Sequence, residues 1–302
     1  MFRRVLFPTD FSAYAAAVVD CLPELRQAGT EEVVLLGVIR PAEVPLGGSL
    51  DQDILEEVRW GAEQQLHIVR RALEGQGLAV RIRLEVGPPV SEILRVAAEE
   101  QVHLIVMGAQ GRSLVQELLL GSVAHEVARR APVPVLIEKF EVIRQWGRVE
   151  CRRRCTRTFQ RVLHPTDFSD CANEAFHLVK RLAAAGTQEV ILVHVQDERT
   201  MRHRPPEQLA EFDRVDSERL DRMRRALLLH GIPQVKVLLR HGHPVMEVLR
   251  VAEEESVCLI VLGSRGSSPV AEILAGSTFE NVIRQSRWPV LVVRGGKCSA
   301  AR

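Results

Sequence analysis

The tightest constraint on this chain is internal repetition. RRVLFPTDFS at 3–12 returns as QRVLHPTDFS at 160–169, and VGPPVSEILRVAAEE at 86–100 returns as GHPVMEVLRVAEEE at 242–255. A third pair shares only its spacing: Gly108, Gly111 and Gly121-Ser122 against Gly263, Gly266 and Gly276-Ser277. A tandem duplication folds as two copies of one unit. The copies are offset by 157 residues at the start and 155 at the glycines, so the second has lost about two residues, which belongs in the loop between Arg40 and Gln52. The chain therefore divides into 1–141, a connector over 142–158, and 159–302.

Within a copy, apolar runs alternate with amphipathic stretches. Strands are expected at Val5-Leu6-Phe7, 32–39, 79–86, 103–107 and 133–138, with helices over 13–27, 53–75, 89–100 and 122–130. The order βαβαβαβαβ makes each copy an α/β unit, a doubly wound open parallel sheet with helices on both faces. Right-handed crossovers favour the strand order 3-2-1-4-5, which sets strands one and four side by side where the winding reverses. Ligands dock at that point in such sheets. The strand ends that meet there carry Pro8-Thr9-Asp10 and Met107-Gly108, about a hundred residues apart in the chain.

Composition narrows the function classes. With 40 Lys and Arg against 39 Asp and Glu, the formal charge of +1 gives no broad electrostatic surface for nucleic acid. No apolar leader opens the chain, and no later run approaches the eighteen or so residues that span a bilayer, so a cytoplasmic protein without membrane insertion is expected. Its six cysteines are then expected as reduced thiols, and the lone pair Cys151 and Cys155 lacks the partners of a zinc site. The arginine-dense segment 140–159 reads as a solvated linker or short connecting helix. His241 and His243, either side of Gly242, read as loop residues and not as a metal pair.

The glycine segment fits neither the P-loop nor the dinucleotide fingerprint. Gly108 and Gly111 after a strand allow positive φ and a close approach of backbone to ligand, while Gly121-Ser122 opens a helix whose free N–H groups suit a phosphate. The nine residues between form a short helix that returns the second glycine site to the first, and Arg112 and Arg265 add positive charge. The competing reading is a tight turn and a simple helix cap. For Asp10 and Asp167 both readings stay open: a ligand contact, or a helix cap in competition with Ser12 and Ser169.

Taken together, PTDFS, the Gly-Pro or His-Pro helix start, the G-x2-G-x9-G-S spacing and the closing strand PVPVLI or WPVLVV resemble the universal stress protein family, present twice over nearly the whole chain. The resemblance implies the adenine-nucleotide alpha-hydrolase-like fold, and a site in which the first-strand Asp and the second-strand end hold adenine and ribose while the glycine loop holds phosphates. Residue by residue it implicates Pro8, Thr9, Asp10, Val38, Met107, Gly108, Gly111, Arg112, Gly121, Ser122 and Val123 in the first copy. In the second it implicates Pro165, Thr166, Asp167, Val195, Leu262, Gly263, Gly266, Ser267, Gly276, Ser277 and Thr278. Phe11 and Phe168 depart from the small residue that many nucleotide-binding relatives carry after the Asp.

These expectations give an adenine-nucleotide-binding regulator, with ATP or AMP as ligand and magnesium accompanying ATP. The carboxylates form no recognised phosphoryl-transfer set beside the glycine loop, so little or no turnover is expected. Two other classes remain open, a weak ATPase or phosphotransferase and a nucleotide-free scaffold. The closing strands are expected at sheet edges, with the copies paired as an internal pseudo-dimer and a homodimer as a further form.

Overall fold

The computed structural model describes residues 1–40, 51–111, 120–145, 148–202, 204–264 and 278–294. Two compact units emerge, Met1–Arg152 and Arg153–Arg302. In the first, the chain runs β1 (Arg4–Thr9), α1 (Ala13–Val19), β2 (Glu32–Ile39), α2 (Asp51–Glu74), β3 (Ala79–Val86), α3 (Pro89–Glu99), β4 (Leu104–Gly108), α4 (Ser122–Arg130) and β5 (Val135–Glu138). All of these strands pair in parallel, in the order β3-β2-β1-β4-β5. The central strands are buried on both faces, which is why Val5-Leu6-Phe7, Val33 to Leu36 and Leu104 to Val106 read as unbroken apolar runs.

Residues after the first unit's β5 form a hairpin, β6 (Glu141–Gln145) with β7 (Arg148–Arg152), paired antiparallel. Over these residues the expected connector takes the form of a hairpin and not of a short helix. Val142 faces Cys151 and Ile143 faces Glu150, a period too short for a sequence window to separate from irregular chain.

The second unit repeats the plan with β8 (Arg161–Pro165), α5 (Asp170–Arg181), β9 (Glu189–Asp197), α6 (Glu198–Met201), α7 (Pro206–Leu229), β10 (Gln234–Gly242), α8 (Pro244–Glu254), β11 (Leu259–Gly263), α9 (Thr278–Gln285) and β12 (Val290–Val293). Its parallel order is β10-β9-β8-β11-β12. Both units thus realise the 3-2-1-4-5 arrangement.

Local differences have local causes. The helix expected over 13–27 stops at Val19 and resumes as a 3-10 turn over Leu22–Ala28, because Pro23 in its first turn cannot donate to a continuing helix. The matching α5, without that proline, runs on to Arg181. On β8, His164 replaces the first unit's Phe7 and is fully buried. Its Nδ1–H donates to the Val261 carbonyl at 2.9 Å, its ring stacks on Phe176, and its Nε2 has no hydrogen-bond partner among the described residues. Burial pushes this imidazole down to about 4, against the opposing pull of the Val261 hydrogen bond.

The expectation of reduced thiols fails at Cys171, which is disulfide-bonded, and at Cys155 and Cys258, which form a disulfide with Cα atoms 5.5 Å apart. The 103-residue separation hides this pairing from sequence spacing, because the fold alone brings the segment before β8 to the start of β11. Among the described residues, no helix is long and apolar enough to cross a membrane.

Candidate functional site

Each PTDFS turn is braced by its own side chains. Thr9 Oγ1 accepts from the Phe11 N–H at 3.1 Å, and Asp10 Oδ1 accepts from the Ser12 N–H at 3.1 Å. Ser12 Oγ then caps α1 by accepting from the Ala15 N–H at 3.1 Å. The second unit copies all three contacts, with Thr166 to Phe168, Asp167 to Ser169, and Ser169 to Ala172. Ser12 and Ser169 are therefore the helix caps, while Asp10 and Asp167 hold the turn through one oxygen. The bracing fixes Phe11 at φ 60° and Phe168 at φ 62°, left-handed values that bulky residues rarely take.

The two motifs expected at the reversal of winding do meet in the first unit. A Cβ built on Gly111 lies 2.5 Å from Asp10 Oδ2, so only glycine lets the loop after β4 rest against that carboxylate. Gly108 is glycine for a different reason, since a Cβ there falls 2.6 Å from Tyr14 Cδ1. Neither glycine takes the positive φ that the sequence reading allowed them; close packing is what excludes a side chain. In the second unit a Cβ built on Gly263 falls 2.6 Å from the backbone of Cys171, so that position, like Gly108, has no room for a side chain.

Gly121 closes the arrangement, because its N–H donates to the Ala109 carbonyl at 2.7 Å. The start of α4 is thereby returned to the end of β4. Among the described residues no side chain caps that helix, which leaves the N–H groups of its first turn, at Ser122, Val123 and Ala124, without an intrahelical partner beside exposed Ser122. The cleft presents two chemistries: amide donors and a helix dipole suited to an anion, and an acceptor carboxylate at Asp10 suited to hydroxyl or amino groups.

Among the remaining residues, Pro8 and Val38 are half-buried, Thr9 and Met107 are buried, and Val123 is half-buried. In the second unit Pro165, Asp167, Val195 and Gly263 are half-buried, Thr166 and Leu262 are buried, and Thr278 is exposed at the start of α9. Arg112, Arg265, Gly266, Ser267, Gly276 and Ser277 lie outside the described residues. His241 Nε2 sits 3.2 Å from Asp213 Oδ1, and no group of three His, Cys, Asp or Glu among the described residues is placed to hold a metal ion.

Sequence reasoning missed several contributors. Tyr14 walls the Gly108 side, and its buried hydroxyl accepts from the Phe140 N–H at 3.0 Å and donates to the Glu138 carbonyl at 3.4 Å. Burial pushes its phenol well above the ordinary range. A polar cluster of His194, Gln196, Asp216 and Arg219 borders the second unit's turn. Alignment of VVLLGVI with VILVHVQ is the signal that exposes it, since Gly37 and His194 occupy the same register position.

Comparison with known proteins matches a family model described as the universal stress protein family at residues 1–139 and again at 158–294. A universal stress protein of Methanocaldococcus jannaschii is 34% identical over 155 residues, covering 45% of this chain and 95% of that protein. One of Thermus aquaticus is 32% identical over 142 residues, covering 45% of this chain and 99% of its own length. Among solved structures, a universal stress protein from Archaeoglobus fulgidus superposes with a TM-score of 0.73 at 29% identity, covering 97% of this chain and 96% of that one.

Proposed function

The chain belongs to the universal stress protein family as a tandem two-domain member, and from that premise we propose that it binds an adenine nucleotide, ATP or AMP, as a cytoplasmic stress or energy-state regulator with little or no turnover. The observation that carries this reading is the convergence of Asp10 and Gly111 beside the uncapped start of α4. Phosphate oxygens fit the amide groups of Ser122 and Val123, and the chemistry of the Asp10 carboxylate fits ribose hydroxyls or the adenine amino group. Val38 and Met107 flank the two strand ends and supply apolar contact to the base. Magnesium accompanies ATP as its counter-ion.

Binding then acts by population shift: a nucleotide that prefers one arrangement of the glycine loop favours that arrangement in proportion to its differential affinity. The test is native mass spectrometry of freshly purified full chain, followed by calorimetric titration with ATP and with AMP. The expected result is a co-purifying nucleotide mass or saturable binding, weakened at least tenfold in Gly111→Val. Flat titrations with both nucleotides overturn the reading and favour a nucleotide-free scaffold. Magnesium-dependent ATP turnover lost in the same variant moves the protein to the enzyme class. The same spectra count chains and so decide whether a homodimer forms.

A further inference from the structure

The two units carry different chemistry where the second strand of each sheet meets the PTDFS turn. In the first unit this position is Gly37, where a built Cβ meets Leu84 at 3.0 Å, Leu66 at 3.2 Å and the Phe11 ring at 3.6 Å, an apolar setting throughout. In the second unit the same register holds His194, and Gln196 replaces Ile39. Counting back from the buried leucines Leu66 on α2 and Leu220 on α7, Asp216 and Arg219 stand where the first unit has Ala62 and Gln65.

These four residues form a connected set. The His194 Nδ1–H donates to the Thr166 carbonyl at 2.7 Å, and its Nε2 lies 3.4 Å from Asp216 Oδ2. Gln196 Nε2 donates to that same carboxylate oxygen at 3.0 Å. The Phe168 ring lies 4.6 Å from the imidazole, centroid to centroid, and carries the Arg219 guanidinium 5.2 Å from its centre. The His194 and Asp216 side chains are only 14% and 11% exposed, so their bonds are shielded from competing water. The strand ladder responds. Pairing of β1 with β2 continues to Thr9 and Gly37, whereas the β8–β9 register ends at Pro165 and Val193, with one further main-chain bond from the Thr166 N–H to the Val193 carbonyl at 2.9 Å.

We propose that the His194–Asp216 pair is a specificity element that closes the base end of the second unit's site, so that each chain takes up one adenine nucleotide, in its first unit. This rests on the nucleotide reading given above. Two residues at the base end of the second unit are already engaged: Thr166 through its carbonyl and Phe168 through its ring. Admitting a planar base there requires giving up a charge-assisted set in a shielded place, and the groups left behind stay unpaired. In the first unit the matching position is Gly37, whose surroundings are the apolar Leu84, Leu66 and Phe11, so no imidazole–carboxylate pair stands there.

The experiment is calorimetric titration of the full chain with AMP and with ATP, paired with hydrogen–deuterium exchange with and without AMP. Expected are one equivalent per chain and new protection confined to peptides spanning β1 to α1 and β4 to α4. In His194→Gly/Asp216→Ala, a second equivalent appears within tenfold of the first in affinity. Two equivalents of similar affinity in the natural chain, or protection in peptides of β8 to α5, overturn the inference and leave the nucleotide reading standing. Absence of any nucleotide binding overturns that reading itself, and with it this one. A folded double variant that still takes one equivalent removes the assignment to His194 and Asp216. The exchange measurement on the natural chain needs no variant to fold.

Discussion

Asp10 Oδ2 sits 2.5 Å from the point where a side chain on Gly111 would begin. Gly111→Ala therefore forces the loop away from the turn, at a cost of about 1–3 kcal/mol to the first unit, typical of overpacking at a tight contact. Asp10→Ala in the same chain removes the obstacle. The two substitutions should be coupled by about 1 kcal/mol or more in a urea double-mutant cycle, and strictly additive effects would show that the contact is not made.

His164 makes the second unit acid-sensitive. Its imidazole is held at about 4 by burial, below the ordinary value of about 6.5 in an unfolded chain. The unfolded state thus binds the proton first: stability is full above about pH 6.5 and declines by roughly 3 kcal/mol as pH falls toward 4. His164→Phe, the residue present at Phe7 in the first unit, should remove that limb of the curve. Urea midpoints between about pH 7.5 and pH 4.5 check it, and an unchanged slope in the variant refutes the assignment.

Tyr14 is the chain's single tyrosine, so phenolate absorbance reads it alone. Burial holds its proton to well above the ordinary value of about 10. On raising the pH, phenolate should appear only as the first unit unfolds, and titration near 10 in folded protein would contradict the buried position. Tyr14→Phe leaves the buried Phe140 N–H without its acceptor and should lower stability by about 1–3 kcal/mol in the same urea assay.

The Cys155–Cys258 bond closes a loop with a sequence separation of 103 residues, long enough for cross-linking to restrict the unfolded chain strongly. Reduction, or Cys155→Ser, should destabilise the second unit by about 2–4 kcal/mol and leave the hydrogen-bonded turn at Asp10 in the first unit intact. Thermal scans with and without reductant check this. Mass analysis after alkylation of the denatured, unreduced protein reports the bond directly, and free thiols at both positions would refute it.

Much of the architecture is legible in the sequence because burial on both sheet faces writes itself as apolar runs such as Val33 to Leu36, and because the repeat says which runs correspond. Strand order follows from crossover handedness. The break of α1 at Val19 is smaller than the resolution of a periodicity window, and the β6–β7 hairpin is too short to register in one. At the site, topology brings Asp10 toward Gly111 without any knowledge of side chains. The reasons for particular residues are tertiary: Tyr14 excludes a side chain at Gly108 from helix α1, and Asp216 reaches His194 from a helix some twenty residues further on. Spacing alone encodes neither.

The early end of the β8–β9 ladder bears on motion as well as shape. In the first unit the turn after the opening strand is fastened to its neighbour by main chain as far as Thr9 and Gly37, and releasing it means peeling a strand. In the second, the Thr166 N–H keeps its main-chain bond to the Val193 carbonyl at 2.9 Å, but the Thr166 carbonyl is held by the His194 imidazole, a side chain that can let go by rotation about its own bonds. Two turns of nearly identical spelling are therefore held differently: one is a seam throughout, the other a seam whose last stitch is a latch.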